Sequence, residues 1–251
     1  MGIPKLQIIM PMAGRGSRFS EAGITVPKPL VNLGGRPFFW WAIESLRHAT
    51  EVDGMVFVVL EEHEKKFSIC EHVLGFYPEA KFALLPAVTA GSAETAMLGL
   101  NLLGEVGPFA IQDCDHAFIA SRLPKTIATL GTSCDAALCT FTSNNPGFSY
   151  VETNGQEKVI RTAEKQIVSS HAIAGCYLFS SKEVYRSAYQ RYLIECNYKE
   201  LFVSGVYNSM LENKLRVCHM PLDRHFPFGT PKELAMIENP MLEQVGPWRQ
   251  D

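Results

Sequence analysis

No apolar run in this chain approaches the roughly 20 residues that a membrane-spanning helix requires. The N-terminal residues lack the charged n-region, long apolar stretch and cleavage site of a secretory signal. None of the seven cysteines forms a C-x-x-C pair, the closest spacing being Cys134 to Cys139. Scattered cysteines in apolar context, Cys70, Cys139, Cys176 and Cys218 among them, read as buried thiols of a reducing compartment. The expected location is therefore cytoplasmic. A dominant charge is also missing: 23 basic against 26 acidic residues give a net charge of −3. That balance gives no support for a protein held to nucleic acid or to a membrane surface by bulk charge, so local cations must meet any anionic ligand. Internal repeats and low-complexity segments are absent as well. What is present is ordinary: 47% apolar and 20% charged residues over 251 positions suffice for one α/β domain spanning 1–251.

Strand-like and helix-like stretches alternate along the first half. "LQIIMPMA" (6–13), "GMVFVVL" (54–60), "KFALLPA" (81–87) and "GPFAIQDCD" (107–115) read as buried strands. Between them, "PFFWWAIESLRHA", "HEKKFSICEHVLGF" and "SAETAMLGLNLL" have helical spacing, with Pro37 in a first turn and Ser92 as an N-cap. The aromatics Phe38 to Trp41 are expected in the core. This alternation predicts a mostly parallel sheet with helices on both faces, whose ligands bind at the carboxyl ends of the strands. In the second half, four strand-like runs between 134 and 180 are joined by turn signals such as "NNPG" and "TNGQ". A helix "SKEVYRSAYQRYLIE" and a strand "LRVCHMPL" follow. The expectation is an antiparallel extension that covers the first sheet. The tail after Pro240 is expected to fray.

Three motifs carry chemistry. The loop "AGRGSRF" frees backbone N–H groups at Gly14 and Gly16 and adds Arg15 and Arg18, a composition suited to an anion. It is neither a Walker A loop nor a G-x-G-x-x-G fingerprint, since no GK[ST] follows and Phe19 stands where the third glycine would be. In "PKPL", Pro27 and Pro29 stiffen the backbone around Lys28. In "QDCDHAF", Asp113 and Asp115 lie two residues apart at a strand end, which sets two carboxylates on one side. Such a pair suits a hard divalent ion such as Mg2+, held together with substrate phosphates; two surface aspartates capping a strand are the alternative. His116 reads as a supporting or structural residue. Gly91, ahead of a helix, would let a flat ring or a phosphate approach the backbone.

Taken in order, Gly14-x-Gly16-Ser17-Arg18, Lys28 in PKPL and "GGRPFFWWAIESL" resemble the signature of the sugar-phosphate nucleotidyltransferases. Gly91, Asp115, Glu164-Lys165 of "AEKQ", "AGCYLFS" and "FGTPKEL" extend the resemblance over most of the chain. It is nearest the compact branch associated with capsule and surface polysaccharides. The resemblance implies a three-layer α/β/α nucleotide-diphospho-sugar transferase fold, GT-A-like and Rossmann-like. Residues 1–130 would form the NTP-binding half and 131–251 the acceptor-binding half. It implies small-molecule substrates, an NTP and a phosphorylated sugar or alcohol, joined with release of pyrophosphate. Ala13, Gly14, Gly16, Ser17, Arg18, Lys28, Gly91 and Ser92 would contact the NTP, with Arg18 and Lys28 catalytic. Tyr150, Glu164, Lys165 and His171 would contact the acceptor, and Asp115 would hold Mg2+.

The chain departs from the family pattern in several places. Where a second metal aspartate is usual, Pro227 stands in "HFPFGT", and Asp113 or Asp223 is the candidate substitute. The base-reading glutamine is missing, with Leu85 and Pro86 at that strand end, and analogy alone inclines the base to CTP. Ser149 stands where a glycine is frequent in the acceptor loop. Two other readings fit part of the pattern. A glycosyltransferase of the same fold would use Asp113-Cys114-Asp115 on an NDP-sugar, which leaves the loop and PKPL unexplained. A non-catalytic nucleotide-binding protein would explain Pro227 but not the retention of Arg18, Lys28 and Asp115.

Overall fold

The computed structural model describes residues 5–245 and Trp248. β1 (Lys5–Met12) turns Leu6, Ile8, Met10 and Met12 to one face and Ile9 to the other, and all five are buried. A strand buried on both faces needs helices on both sides, and the chain supplies them. After β1 come α1 (Ser17–Glu21), the two-residue strands β2 (Asn32–Leu33) and β3 (Arg36–Pro37), and α2 (Phe38–Arg47). β4 (Glu51–Leu60), α3 (Glu61–Phe67), α4 (Ile69–Leu74), β5 (Lys81–Leu85), α5 (Ser92–Gly99) and β6 (Phe109–Gln112) complete the first half. β5, β4, β1 and β6 lie side by side and run parallel, as the alternation predicts.

The second half begins with β7 (His116–Ile119) and α6 (Leu123–Thr129), followed by β8 (Ala136–Thr142), β9 (Tyr150–Thr153), β10 (Val159–Ala163) and β11 (His171–Phe179). α7 (Lys182–Glu195), α8 (Val203–Glu212), β12 (Val217–Pro221), β13 (Arg224–Pro227) and α9 (Pro231–Val245) follow. These strands do not cover the first sheet. β11 pairs antiparallel with β6, and β8, β9, β10 and β12 continue the same nine-stranded sheet beyond it. β7 and β13 form a separate two-stranded ribbon. The result is a mixed α/β fold with a central, mostly parallel sheet flanked by helices.

Aromatic density packs α2 against one face: Phe38, Phe39, Trp41 and Ile43 are fully buried there. α5, α7 and α8 cover the other with Ala93, Tyr185 and Tyr207. Trp41 Nε1 donates to the buried carbonyl of Leu33 at 2.9 Å. One turn on, Ser45 Oγ donates to Trp41 O (2.8 Å) and accepts from Phe118 N (2.9 Å), which ties α2 to the β7 ribbon.

Four local expectations need correction. The helix read from 63 to 76 is broken into α3 and α4, because Ser68 adopts a left-handed φ of 47° and Glu64 accepts a hydrogen bond from Cys70 N across the break. Pro37 belongs to β3 and caps α2 rather than lying in its first turn. Cys218 is exposed and Cys70 half-buried, while Cys139 and Cys176 are buried. Past Pro240 the chain stays helical to Val245, because Met241 and Val245 are buried; the remaining tail, Trp248 apart, lies outside the described residues. Among the described residues no helix is long and apolar enough to cross a membrane. Trp41→Phe removes both packing volume and the donor to Leu33, so we expect a loss of about 2–4 kcal/mol of stability, read as a lower denaturant midpoint at unchanged slope.

Candidate active site

The loop after β1 and the turn after β6 leave neighbouring parallel strands at the same edge of the sheet, so they face one another. Gly16 takes a left-handed φ of 60° at the start of α1. Among the described residues no protein acceptor takes the N–H groups of Gly14, Arg15, Gly16 or Ser17. Lys28 opens a single 3-10 turn braced by the prolines. Its Nζ crosses to Asp115 Oδ2 at 2.8 Å. Burial works against charge on this ammonium, yet Asp115 and then Asp113 together outweigh it and hold the pKa above the ordinary lysine value. Asp115 is buried too; burial raises its pKa, but Lys28, through its charge and its hydrogen bond, pulls the other way and keeps the carboxylate ionised well below the usual range.

Asp113 completes a carboxylate pair. Burial, and then the charge on Asp115, push its pKa up to about 7 against the pull of Lys28. Its N–H donates to Gly175 O at 2.8 Å. Gly175 is required here twice over: its φ is +66°, and a Cβ would lie 2.5 Å from His116 Cδ2 and 3.0 Å from Asp113 Oδ2. His116 supports the pair from behind. Its Nε2 stands 3.5 Å from Asp115 Oδ1, and its Nδ1 stands 2.9 Å from Nε2 of His225. Burial holds both rings neutral by lowering their pKa values.

Asp113, Asp115 and His116 bring one ligand atom each within 4.8 Å of one another. Two carboxylates facing a single ammonium leave an excess of negative charge in a secluded place, which fits a hard divalent cation. Pro227, opposite His116 in the β7–β13 register, adds no ligand. Asp223 is not brought to this group: its carboxylate bonds Ser121 N and Oγ.

One cavity of about 1320 Å3 joins this pair to the glycine loop and to Glu164 and Lys165. Ala13, Ser17, Arg18, Gly91 and Ser92 also line it. Glu164 follows β10 and is fixed by two hydroxyls, Ser149 Oγ and Ser204 Oγ (the latter at 2.9 Å). Lys165 has a left-handed φ of 51°, and its ammonium lies 5.0 Å from the ring centre of Phe202.

Tyr150 and His171 do not join them. Tyr150 is fully buried and donates to Asn145 O, and His171 turns to His219, with ring centres 4.7 Å apart. Ser92 is the first residue of α5 rather than its cap; Gly91 holds the cap position, and Glu94 Oε2 accepts from Ala90 N. Gly91 is glycine because the backbone of Leu201 presses on it: a Cβ would overlap Leu201 N and O, and Leu201 O accepts from Ala93 N at 2.9 Å. Close approach of a ligand is not needed to explain it.

Sequence reasoning missed Gly175, Gly229, Ser204 and Phe202. A Cβ on Gly229 would lie 2.5 Å from Asp115 Oδ2, so this glycine lets the loop ahead of α9 close over the carboxylate. "AGCYLFS" and "FGTPKEL" contain both glycines, but only the fold shows what they approach.

The sequence profile described as Nucleotidyl transferase matches residues 6–243. Among curated protein sequences none matches significantly. Among solved structures, the nucleoside-diphosphate-sugar pyrophosphorylase from Vibrio cholerae RC9 is similar, with 26% identity, a TM-score of 0.79, and coverage of 92% of this chain and 99% of that one. The inositol-1-phosphate CTP transferase from T. maritima shares the fold at 17% identity and a TM-score of 0.76, over 97% of this chain and 98% of that one. With a family profile spanning nearly the whole chain and a loop, lysine and carboxylate pair assembled in one cavity, the protein is an enzyme that belongs to the nucleotidyl transferase family.

Proposed function

We propose that this enzyme joins a nucleoside triphosphate to a phosphorylated acceptor and releases pyrophosphate. The observation that carries the reading is the placement of Lys28 on the Asp113–Asp115 pair, between a loop of free N–H groups and the Glu164–Lys165 turn. The N-terminal half, 1–130, would hold the triphosphate, and 131–251 the acceptor. Arg18, exposed beside the loop, would grip the β- and γ-phosphates, with Ala13, Gly14, Gly16 and Ser17 along their path. Lys28 would neutralise the α-phosphate as negative charge builds on it. Lys165 would bind the acceptor phosphate, and Glu164, fixed by Ser149 and Ser204, would accept from an acceptor hydroxyl or amine.

In the step itself, an acceptor phosphate oxygen attacks the α-phosphorus, a new P–O bond forms, and the bond to the β-phosphate oxygen breaks. The nucleophile is already anionic, so the residues need only orient it and offset charge. Asp113 and Asp115 would hold Mg2+, whose charge would help neutralise the triphosphate, and Asp113 is the carboxylate we assign in place of the one that Pro227 lacks. CTP is the first base to try, since one structural relative is a CTP transferase. A sugar 1-phosphate, such as an NDP-sugar pyrophosphorylase would use, is the first acceptor.

The decisive assay pairs each of CTP, UTP, dTTP, GTP and ATP with Mg2+ and a panel of sugar and sugar-alcohol phosphates, reading pyrophosphate release. Release with one base and one acceptor is expected. Binding of an NDP-sugar with no release from any triphosphate would move the assignment to glycosyl transfer. Lys28→Ala should lower turnover by more than about tenfold in folded protein, and an unchanged rate would remove it from the mechanism. Asp115→Asn should shift the Mg2+ activation curve to higher concentration; an unshifted curve would exclude it as a ligand. Lys165→Ala should raise KM for the acceptor about tenfold and leave that for the NTP unchanged, whereas an equal rise in both would place Lys165 elsewhere.

A further inference from the structure

Away from the cavity lining, Glu157, His171 and His219 bring three ligand atoms within 4.8 Å of one another. We infer that they form a second metal site, which takes a transition ion of the zinc class rather than magnesium. The donors come from three segments: the turn between β9 and β10, the first residue of β11, and the middle of β12. Two imidazoles and one carboxylate are a zinc donor set, completed by water. Nitrogen donors select against magnesium, which takes oxygen and keeps its water.

The geometry is close to what an ion needs. His219 Nε2 lies 3.8 Å from Glu157 Oε2. Ligands on one tetrahedral zinc with bonds of about 2.0 Å stand about 3.3 Å apart, so this pair needs a contraction of about half an ångström, and the His171 nitrogen lies within 4.8 Å of both. His219 is oriented in advance, since its side chain is 9% exposed and its Nδ1 lies 3.2 Å from Thr140 Oγ1, leaving Nε2 toward Glu157. A partner on the second ring nitrogen is the arrangement that orients metal-bound histidines. Burial, and then His171, hold the His219 pKa below its ordinary value, so the ring is neutral near pH 7 and able to ligate.

The backbone that carries Glu157 is also held in place, while its side chain is exposed. Glu157 has a left-handed φ of 59°, costly for a non-glycine residue, in a turn where Asn154 Oδ1 accepts from Gln156 N (2.9 Å) and Lys158 N (3.1 Å). His171 is anchored through its N–H, which donates to Ser169 Oγ at 2.9 Å. An ion here would clamp the β9–β10 hairpin to β11 and β12. Because β10 ends directly before Glu164 and Lys165, the clamp would bear on the turn that holds them.

The test uses the full chain, stripped with a chelator and kept in excess Mg2+ so that the carboxylate pair is supplied. Calorimetric titration with Zn2+ should show one equivalent bound, and Co2+ should give the visible absorption bands of a low-coordinate site. His171→Ala should weaken Zn2+ binding about 100-fold and Glu157→Gln about tenfold. Asp115→Asn should leave it unchanged. Because the buried His219 is the riskiest position to alter, the half-exposed His171 and the exposed Glu157 carry the comparison. No Zn2+ bound in the presence of Mg2+, equal binding by wild type and His171→Ala, or loss of the equivalent in Asp115→Asn alone would each overturn the site.

Discussion

The ion pair between Lys28 and Asp115 is the contact on which the active-site cavity depends. It joins the loop that leaves β1 to the turn that leaves β6, two strands that lie side by side and end at the same edge of the sheet. A half-buried pair of this kind is weak as a source of stability, because partly removing two charges from water offsets much of their attraction. Its value lies in position: the ammonium is held where the loop after β1 meets the carboxylate pair after β6. One lysine against two aspartates also leaves the charge unbalanced, the electrostatic setting that a divalent cation would fit.

Close backbone approach is the second constraint. Gly175 on β11 and Gly229 ahead of α9 surround the carboxylates so tightly that a methyl group at either would collide with the pair or with His116. This follows from the topology. Because the second half continues the sheet in its own plane, β11 runs antiparallel beside β6 and brings Gly175 against Asp113. The same in-plane extension brings the turn after β10, with Glu164 and Lys165, to the far side of one cavity.

Two sets of metal-capable side chains thus differ in chemistry as well as place. One is oxygen-rich, opens into the cavity and is backed by a neutral histidine pair; the other is nitrogen-rich and ties three segments of the extension together. Donor type separates the ions each would take, so a cell's magnesium and zinc need not compete for them.

Much of the first half was legible in the sequence, because the signals there are local. Apolar runs of strand length, aromatic residues at helical spacing, a glycine loop and a proline-braced lysine each reflect forces acting over a few residues. The paired aspartates were legible for the same reason. Tyr150 and His171 were misplaced because the side to which a strand residue turns depends on register with strands far away in sequence. The packing that requires glycine at Gly91 was not legible, because the backbone that presses on it belongs to Leu201, 110 positions later. The sequence by itself determined the parallel αβ frame and the chemical character of the loop, the lysine and the carboxylates. Only the tertiary structure decided that the later strands extend the sheet, that glycines wrap the aspartates, and that Glu157, His171 and His219 converge. Those outcomes rest on long-range pairing and close packing, which no local pattern of residues encodes.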